Sequence, residues 1–291
     1  MKIILGPSSK ELGEKIADLT GFPKVPVESK VFPDGESYIR LESNVQNEHA
    51  VIVQTTSKPQ DTNLMQLIFM VNAAKRNGAR RITGVVPYLA YARQDKVFLE
   101  GENVSIESIA ALLETAGLDE LITVNIHAET ALEKFPFPTR NLSAIPTIAE
   151  YFVKKGYRNA FALAPDKGAL YMARQAQQVL CGEAGSLDKT RDRFTGQTTQ
   201  TGKHLNVSGK VVVVFDDIIS TGGTIVGAAK ILKEHGATEV YAACVHGLLV
   251  GDAEKRMLDA GIEEIVATDS VPGMNSKVSL APLISEALRA L

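Results

Sequence analysis

The stretch Lys210 to Thr224, KVVVVFDDIISTGGT, holds the residue types and spacing that point most directly to chemistry. A β-branched run, Val211 to Val214, leads into the acidic pair Asp216–Asp217. Ser220-Thr221-Gly222-Gly223-Thr224 follows, and then a helix-forming run. A strand, a tight turn of small residues and a helix start aim backbone N–H groups and the positive end of a helix at an anion. Carboxylates beside such a cup do not suit a bare phosphate. They suit hydroxyls or a metal ion, so the ligand implied carries a phosphate at one end and hydroxyls or a metal at the other. A sugar phosphate meets that description.

The elements that must position this turn are legible along the chain. Strand signals fall at Lys2–Leu5, Ala50–Gln54, Arg81–Val86, Leu121–Ile126, Asn159–Ala164, Lys210–Phe215, Glu239–Val245 and Glu264–Ala267. Helical patterns lie between them, at Ser9–Thr20, Asn63–Asn77, Ser105–Ala116, Ala144–Lys155, Ala169–Val179, Thr224–His235, Ala253–Ala260 and Leu280–Ala290. Gly78, Gly117, Gly236 and Gly261 each follow a helical run, where a left-handed stop favours glycine. Alternation of this kind predicts parallel sheets covered by helices.

A weak repeat runs through the chain: Ile68–Tyr88 lies on Val226–His246 without a gap, both reading helix, Asn/His-Gly-Ala, strand. Either two unrelated βαβ units look alike, or one α/β domain occurs twice. In the second case only the later copy kept the acidic pair and the Gly-Gly turn, for the earlier one reads TTSKPQDTN there. The proline-rich Phe135–Ala144 marks the boundary. A polar segment, Cys181–Lys203, carries Lys189, Arg191 and Arg193. It reads either as a lid or as a solvated β-excursion.

Other segments are weaker alone. Phe32-Pro33-Asp34-Gly35-Glu36 is a turn with two carboxylates. Pro87–Lys96 follows a strand and places Arg93, Gln94 and Asp95 where α/β sheets bind ligands. The alternative there is an ordinary polar surface. His127 and Asp166 each end a strand and are candidates for a shared metal-bound phosphate. No G-x-x-x-x-G-K-[ST] and no strand-following G-x-G-x-x-G is present, so any use of ATP proceeds without those devices. No His/Cys set has zinc spacing.

Taken in order, six segments resemble the ribose-phosphate pyrophosphokinases, also called phosphoribosyl pyrophosphate synthetases. They are FPDGES, PYLAYARQDK, NIHAE, LAPDKGA, Lys189-Thr190-Arg191 and VFDDIISTGGT. The Lys-Thr-Arg form and HGLLVGDA look more like archaeal-type members. NIHAE departs from bacterial members, which usually have Gln after the alanine. The resemblance implies an α/β fold of two tandem phosphoribosyltransferase-like domains, each a mainly parallel sheet flanked by helices. The domains expected are 1–142 and 143–291, with the ribose-phosphate turn in the second alone and the last helix packing back on the first.

The family's reaction moves the β,γ-diphosphoryl group of ATP to the 1-hydroxyl of ribose 5-phosphate, for nucleotide biosynthesis, and releases AMP. By resemblance, Lys189 and Arg191 would be the catalytic cations on a closing loop. Arg191, Asp216, Asp217 and Ser220, Thr221, Gly222, Gly223 and Thr224 would bind ribose 5-phosphate. Arg93, Gln94 and Asp95, with Phe32, Asp34, Gly35 and Glu36 lent by a neighbouring subunit, would bind ATP. His127 and Asp166 would hold Mg²⁺, and the working unit would be at least a homodimer.

The bulk numbers agree with such a protein. The chain has 291 residues, 45% apolar and 22% charged, enough for one large or two medium domains with real cores. Its net charge of −3 gives no basic field for nucleic acid or an anionic membrane. Cys181 and Cys244 stand in no metal or redox spacing, as in a reducing compartment. The N-terminal apolar run is too short for a signal peptide, and the expectation is a soluble, cytoplasmic enzyme. A phosphoribosyltransferase would share the 216–224 turn but would leave PYLAYARQDK and the Lys-Thr-Arg loop unexplained. A non-catalytic nucleotide-binding homologue would have no reason to keep those cations.

Overall fold

The computed structural model describes residues 1–191, 198–201 and 205–291, and for 188–191 and 198–201 it describes the backbone alone. The chain divides into two units. The first comprises Met1–Leu142, Ser270–Pro272 and Ser279–Leu291. Its strands are β1 (Lys2–Leu5), β2 (Lys24–Val25), β3 (Val27–Val31), β4 (Ser37–Leu41), β5 (His49–Val53), β6 (Arg81–Val86), β7 (Glu120–Val124) and β8 (Thr139–Leu142). Its helices are α1 (Lys10–Thr20), α2 (Gln60–Arg76), α3 (Ser105–Ala116) and α8 (Ala281–Arg289).

The second unit comprises Ser143–Asp269 and Gly273–Val278. It holds β9 (Phe161–Ala164), β10 (Ala184–Ser186), β11 (Asp188–Arg191), β12 (Thr198–Thr201), β13 (Val211–Ile219), β14 (Glu239–Gly247), β15 (Ile265–Thr268) and β16 (Ser276–Val278). Helices α4 (Ile145–Lys154), α5 (Leu170–Leu180), α6 (Gly223–Glu234) and α7 (Ala253–Asp259) complete it.

Each unit is built on a six-stranded sheet, ordered β2-β1-β5-β6-β7-β8 in the first and β10-β9-β13-β14-β15-β16 in the second. Every pairing within both sheets is parallel. The two orders are the same once strands are matched in turn, with β5-α2-β6 falling on β13-α6-β14. Each unit also inserts an antiparallel hairpin between its second and third sheet strands. These are β3–β4 in the first and β11–β12 in the second.

Parallel strands lie between layers of helices and must be apolar on both faces. The valine run obeys this: Val212, Val213, Val214 and Phe215 are all fully buried. In the first unit Ile4, Ile52, Ile82 and Leu121 of the sheet meet Leu67, Met70, Ile106 and Leu113 of α2 and α3 in one core. In the second, Leu163, Val214 and Val240 meet Ile225, Leu232 and Met257.

The last helix, α8, closes the first unit against α1. Ile284 and Leu288 are fully buried, and the Arg289 guanidinium donates to the carbonyl of Leu19 at the end of α1. Leu288→Ala is therefore expected to cost about 2–5 kcal/mol of unfolding free energy, read by urea denaturation.

Three segments hold more strand than the sequence signals mark. Phe135–Ala144, read as the boundary, spans the division between the units after Leu142 and contains the edge strand β8. Its short TRNL run carries no apolar alternation, because an edge strand needs little burial. Of the two readings of Cys181–Lys203, a lid or a β-excursion, the described residues hold the strands of the second, β10 and the β11–β12 hairpin. These strands are polar and threonine-rich in sequence, with no hydrophobic period to mark them. Strand β13 runs to Ile219 instead of stopping at Phe215, because β14 continues beside it and pairs His246 with Ile218. The acidic pair therefore lies within the strand.

Candidate functional site

In a parallel sheet, ligands gather beyond the carboxyl ends of the strands. In the second unit that edge carries the acidic pair and the turn. Gly222 is the N-cap of α6 in the left-handed conformation, with φ of 74°, which glycine adopts without strain. A side chain there would also meet Met257 of α7 at 3.2 Å. Gly223 and Thr224 open α6, so their N–H groups have no carbonyl a turn behind to receive them. Thr221 and Gly223 are exposed and Ser220 and Thr224 half-exposed, so the mouth of the turn is open.

Three carboxylates stand behind this mouth. Asp216 is half-buried and Asp217 buried, at 8% exposure. Asp166 follows β9, which lies beside β13 with Leu163 opposite Val214. Asp216 has its carboxyl pushed well above the usual range, first by burial, then by the charge and hydrogen bonding of Asp217, and also by the charge of Asp166. The carboxylates accept local bonds: Asp217 N–H donates to Asp216 Oδ1 at 3.0 Å, and Ile218 N–H to Asp217 Oδ1 at 2.8 Å. Ala169 N–H donates to Asp166 Oδ1 at 3.2 Å. The raised Asp216 carboxyl beside two further acids can take a divalent cation or sugar hydroxyls as a ligand. Among the described residues no three His, Cys, Asp or Glu side chains form a closed metal cage.

The corresponding edge of the first unit holds the other candidates. His127 is exposed just beyond β7, and Arg93 is exposed in the loop beyond the neighbouring strand β6. Thr130 Oγ1 donates to Asp95 Oδ2 at 2.9 Å and draws the loop after β7 toward the loop after β6. Gln94 is engaged inside its own loop, where its amide donates to Glu102 Oε2 at 3.2 Å. Glu102 also accepts the N–H groups of Phe98 and Leu99, at 2.8 and 3.0 Å, and these bonds hold its carboxyl below the usual range. Sequence reasoning missed Glu102. The one signal was an acid eight positions after Gln94, in a glycine-containing loop ahead of α3.

Phe32, Asp34, Gly35 and Glu36 form the exposed tip of the β3–β4 hairpin. Phe32 N–H donates to the Glu36 carbonyl and Gly35 N–H to that of Phe32, both at 2.8 Å. Phe32, at 45% exposure, leans edge-on to Tyr38. Lys189 and Arg191 lie on β11, opposite Gln200 and Thr198, and their side chains lie outside the described residues. Arg193, between the two hairpin strands, lies outside them altogether.

Two like-ordered parallel sheets, with an acidic pair and a glycine turn feeding a helix N-terminus in the second, define a phosphoribosyltransferase-like α/β protein built to handle a phosphorylated sugar. Residues 1–117 match the model of the N-terminal domain of ribose phosphate pyrophosphokinase, and residues 201–290 match that of the phosphoribosyl synthetase-associated domain. The chain is 44% identical to the ribose-phosphate pyrophosphokinase of Methanothermobacter thermautotrophicus, over 99% of this chain and 100% of that one. It is 37% identical to that of Saccharolobus solfataricus, over 99% of each chain. The crystal structure of phosphoribosylpyrophosphate synthetase from Mycobacterium smegmatis superposes with a TM-score of 0.87 at 30% identity, covering 100% of this chain and 97% of that one. The chain belongs to the ribose-phosphate pyrophosphokinase family. Among the described residues no helix is long and apolar enough to cross a membrane.

Proposed function

We propose that the residues assembled above divide the work of the family's reaction between an acceptor half in the second unit and a donor half in the first. The reaction is transfer of the diphosphoryl group of ATP to the 1-hydroxyl of ribose 5-phosphate, giving 5-phospho-α-D-ribose 1-diphosphate and AMP. The observation that carries the division is the edge of β13, where a helix N-terminus and a crowded acidic pair stand a few residues apart. One recognises phosphate and the other hydroxyls.

The N–H groups and hydroxyls of Ser220–Thr224 hold the 5-phosphate. Asp216 and Asp217 bind the 2- and 3-hydroxyls, directly or through Mg²⁺, which fixes the sugar ring and its 1-hydroxyl for attack. Arg93 and the Gln94–Asp95 backbone seat the nucleotide, and Glu102 keeps their loop in shape. Phe32, Asp34, Gly35 and Glu36, exposed on their hairpin, reach into the site of a second copy, so the working unit is at least a homodimer. Mg²⁺ is the proposed metal; it would neutralise phosphate charge, and His127 and Asp166 are the residues that would hold it. Lys189 and Arg191 supply positive charge to the transferring group when the hairpin closes, with Arg191 also touching ribose 5-phosphate. Catalysis here is positioning and charge stabilisation rather than covalent chemistry.

The domain limits proposed are 1–142 and 143–291, with the last helix of the second stretch packing on the first domain, and the compartment is the cytoplasm. Only the second domain carries a ribose-phosphate turn. Isothermal titration of ribose 5-phosphate checks the acceptor half. Asp217→Asn is expected to weaken binding by about tenfold, the worth of a charge-assisted hydrogen bond. Unchanged affinity would make the acidic pair structural.

A further inference from the structure

The turn that cups the 5-phosphate does not hold its own shape. Three successive carbonyls, those of Ile219, Ser220 and Thr221, all accept hydrogen bonds from one segment, Leu248–Arg256. Leu248 N–H and Leu249 N–H donate to the Ile219 carbonyl at 2.9 and 3.1 Å. Val250 N–H donates to the Ser220 carbonyl at 3.0 Å. The Arg256 guanidinium Nη2 donates to the Thr221 carbonyl. Asp252, the N-cap of α7, orients that guanidinium, with Nε to Oδ1 at 2.9 Å.

The peptide unit is planar and trans, so the C=O of one residue and the N–H of the next point in opposite directions. Pinning those three carbonyls on Leu248–Arg256 turns the N–H groups of Ser220, Thr221 and Gly222 away from it, toward the mouth of the turn. The first two carbonyls are held by backbone that any residues there would supply. The third depends on one side chain. It is also the peptide that leads into Gly222, whose left-handed conformation sets the start of α6.

We infer that Arg256 is a positioning residue for ribose 5-phosphate: by holding the Thr221 carbonyl it aims the Gly222 N–H at the 5-phosphate, with Asp252 setting the angle of its guanidinium. The inference rests on the reading of Ser220–Thr224 as the phosphate cup. Arg256 is 45% exposed and its ion pair with Asp252 lies near the surface, so the pair adds little to stability. Its effect belongs to binding.

The test uses the full-length enzyme, with steady-state kinetics, ribose 5-phosphate titration calorimetry and thermal unfolding. Arg256→Ala is expected to raise both KM and Kd for ribose 5-phosphate about tenfold, as for a lost charge-assisted hydrogen bond, with KM for ATP and Tm little changed. Arg256→Lys, which keeps a donor, is expected to recover part of the loss. Asp252→Ala separates orientation from charge. Removing a negative charge near a bound anion would tighten binding if Arg256 acted by its charge alone, whereas loss of orientation weakens it by about two- to threefold.

Thr224→Ala serves as the control on the cup itself. If Thr224→Ala weakens ribose 5-phosphate binding and Arg256→Ala does not, the Arg256 inference is overturned and the cup stands. If neither does, the cup reading fails first. Tighter binding by Asp252→Ala, or an equal rise in KM for ATP with a fall in Tm, would also overturn the positioning role.

Discussion

Lys189→Ala is expected to lower turnover by about 10²–10³-fold, the range for removing one preorganised group that stabilises transition-state charge. KM for ATP and for ribose 5-phosphate should stay within about twofold, because a cation met only in the transition state contributes to kcat and not to ground-state affinity. Two polyanions must approach each other in this reaction, and charge builds on the transferring phosphorus as the sugar hydroxyl attacks. The chain has no P-loop to supply cations from the main sheet. Lys189 and Arg191 stand on β11 of an antiparallel hairpin inserted in the second sheet. The hairpin inserted at the same topological point in the first sheet carries Phe32–Glu36 at its tip. The fold thus uses one insertion point twice, and each copy projects residues assigned to catalysis or nucleotide binding. Single-turnover quench-flow measures the chemical step directly. A large rise in KM with turnover intact would place Lys189 in substrate binding instead.

Asp216→Asn is expected to stabilise the protein while weakening ribose 5-phosphate binding and activity. The carboxyl of Asp216 is pushed above its ordinary value by partial burial, by the charge and hydrogen bonding of Asp217 and by the charge of Asp166. The folded state therefore holds a proton that the unfolded state has already lost. Between the ordinary aspartate value and the raised one, stability falls as pH rises. At neutral pH the wild-type protein carries that penalty and the asparagine variant does not. Its Tm should exceed that of the wild type by about 2–4 °C, the worth of about 1 kcal/mol in a chain of this size. Added Mg²⁺ should narrow the gap by stabilising the wild type more than the variant. Differential scanning fluorimetry across pH, with and without the ion, reads all three effects. A variant less stable than wild type at neutral pH would mean that the Asp216 carboxylate is satisfied in the fold and is not held in tension for a ligand.

Much of this architecture could be read before any coordinates. The valine run, the helix-stopping glycines and the regular alternation of apolar strands and amphipathic helices carry strong local signals, and β1, β6 and α3 occupy the residues read for them. The repeat of Ile68–Tyr88 on Val226–His246 corresponds to α2-β6 and α6-β14 in like-ordered sheets. Polar and edge strands are hard to read: β3, β4 and β8 bury too little to show a period, and β11 and β12 are polar in sequence throughout.

The site divides in the same way. Asp216–Thr224 announces itself, since residue type and adjacency are both local. Glu102 and Arg256 do not: Glu102 closes a loop of irregular shape on its own N–H groups, and Arg256 holds a carbonyl thirty-five positions earlier. Only the fold brings the second pair together. An exposed Arg at i+4 from an Asp reads in sequence as an ordinary surface helix pair.

Membership of this family means that the chain transfers the diphosphoryl group of ATP as one piece. Incubation with ATP, ribose 5-phosphate and Mg²⁺, followed by ³¹P NMR, tests it directly. The expected products are AMP and a ribose 5-phosphate bearing a diphosphate at the 1-position, formed in equal amounts. ADP with a singly phosphorylated product, or no AMP at all, would contradict it.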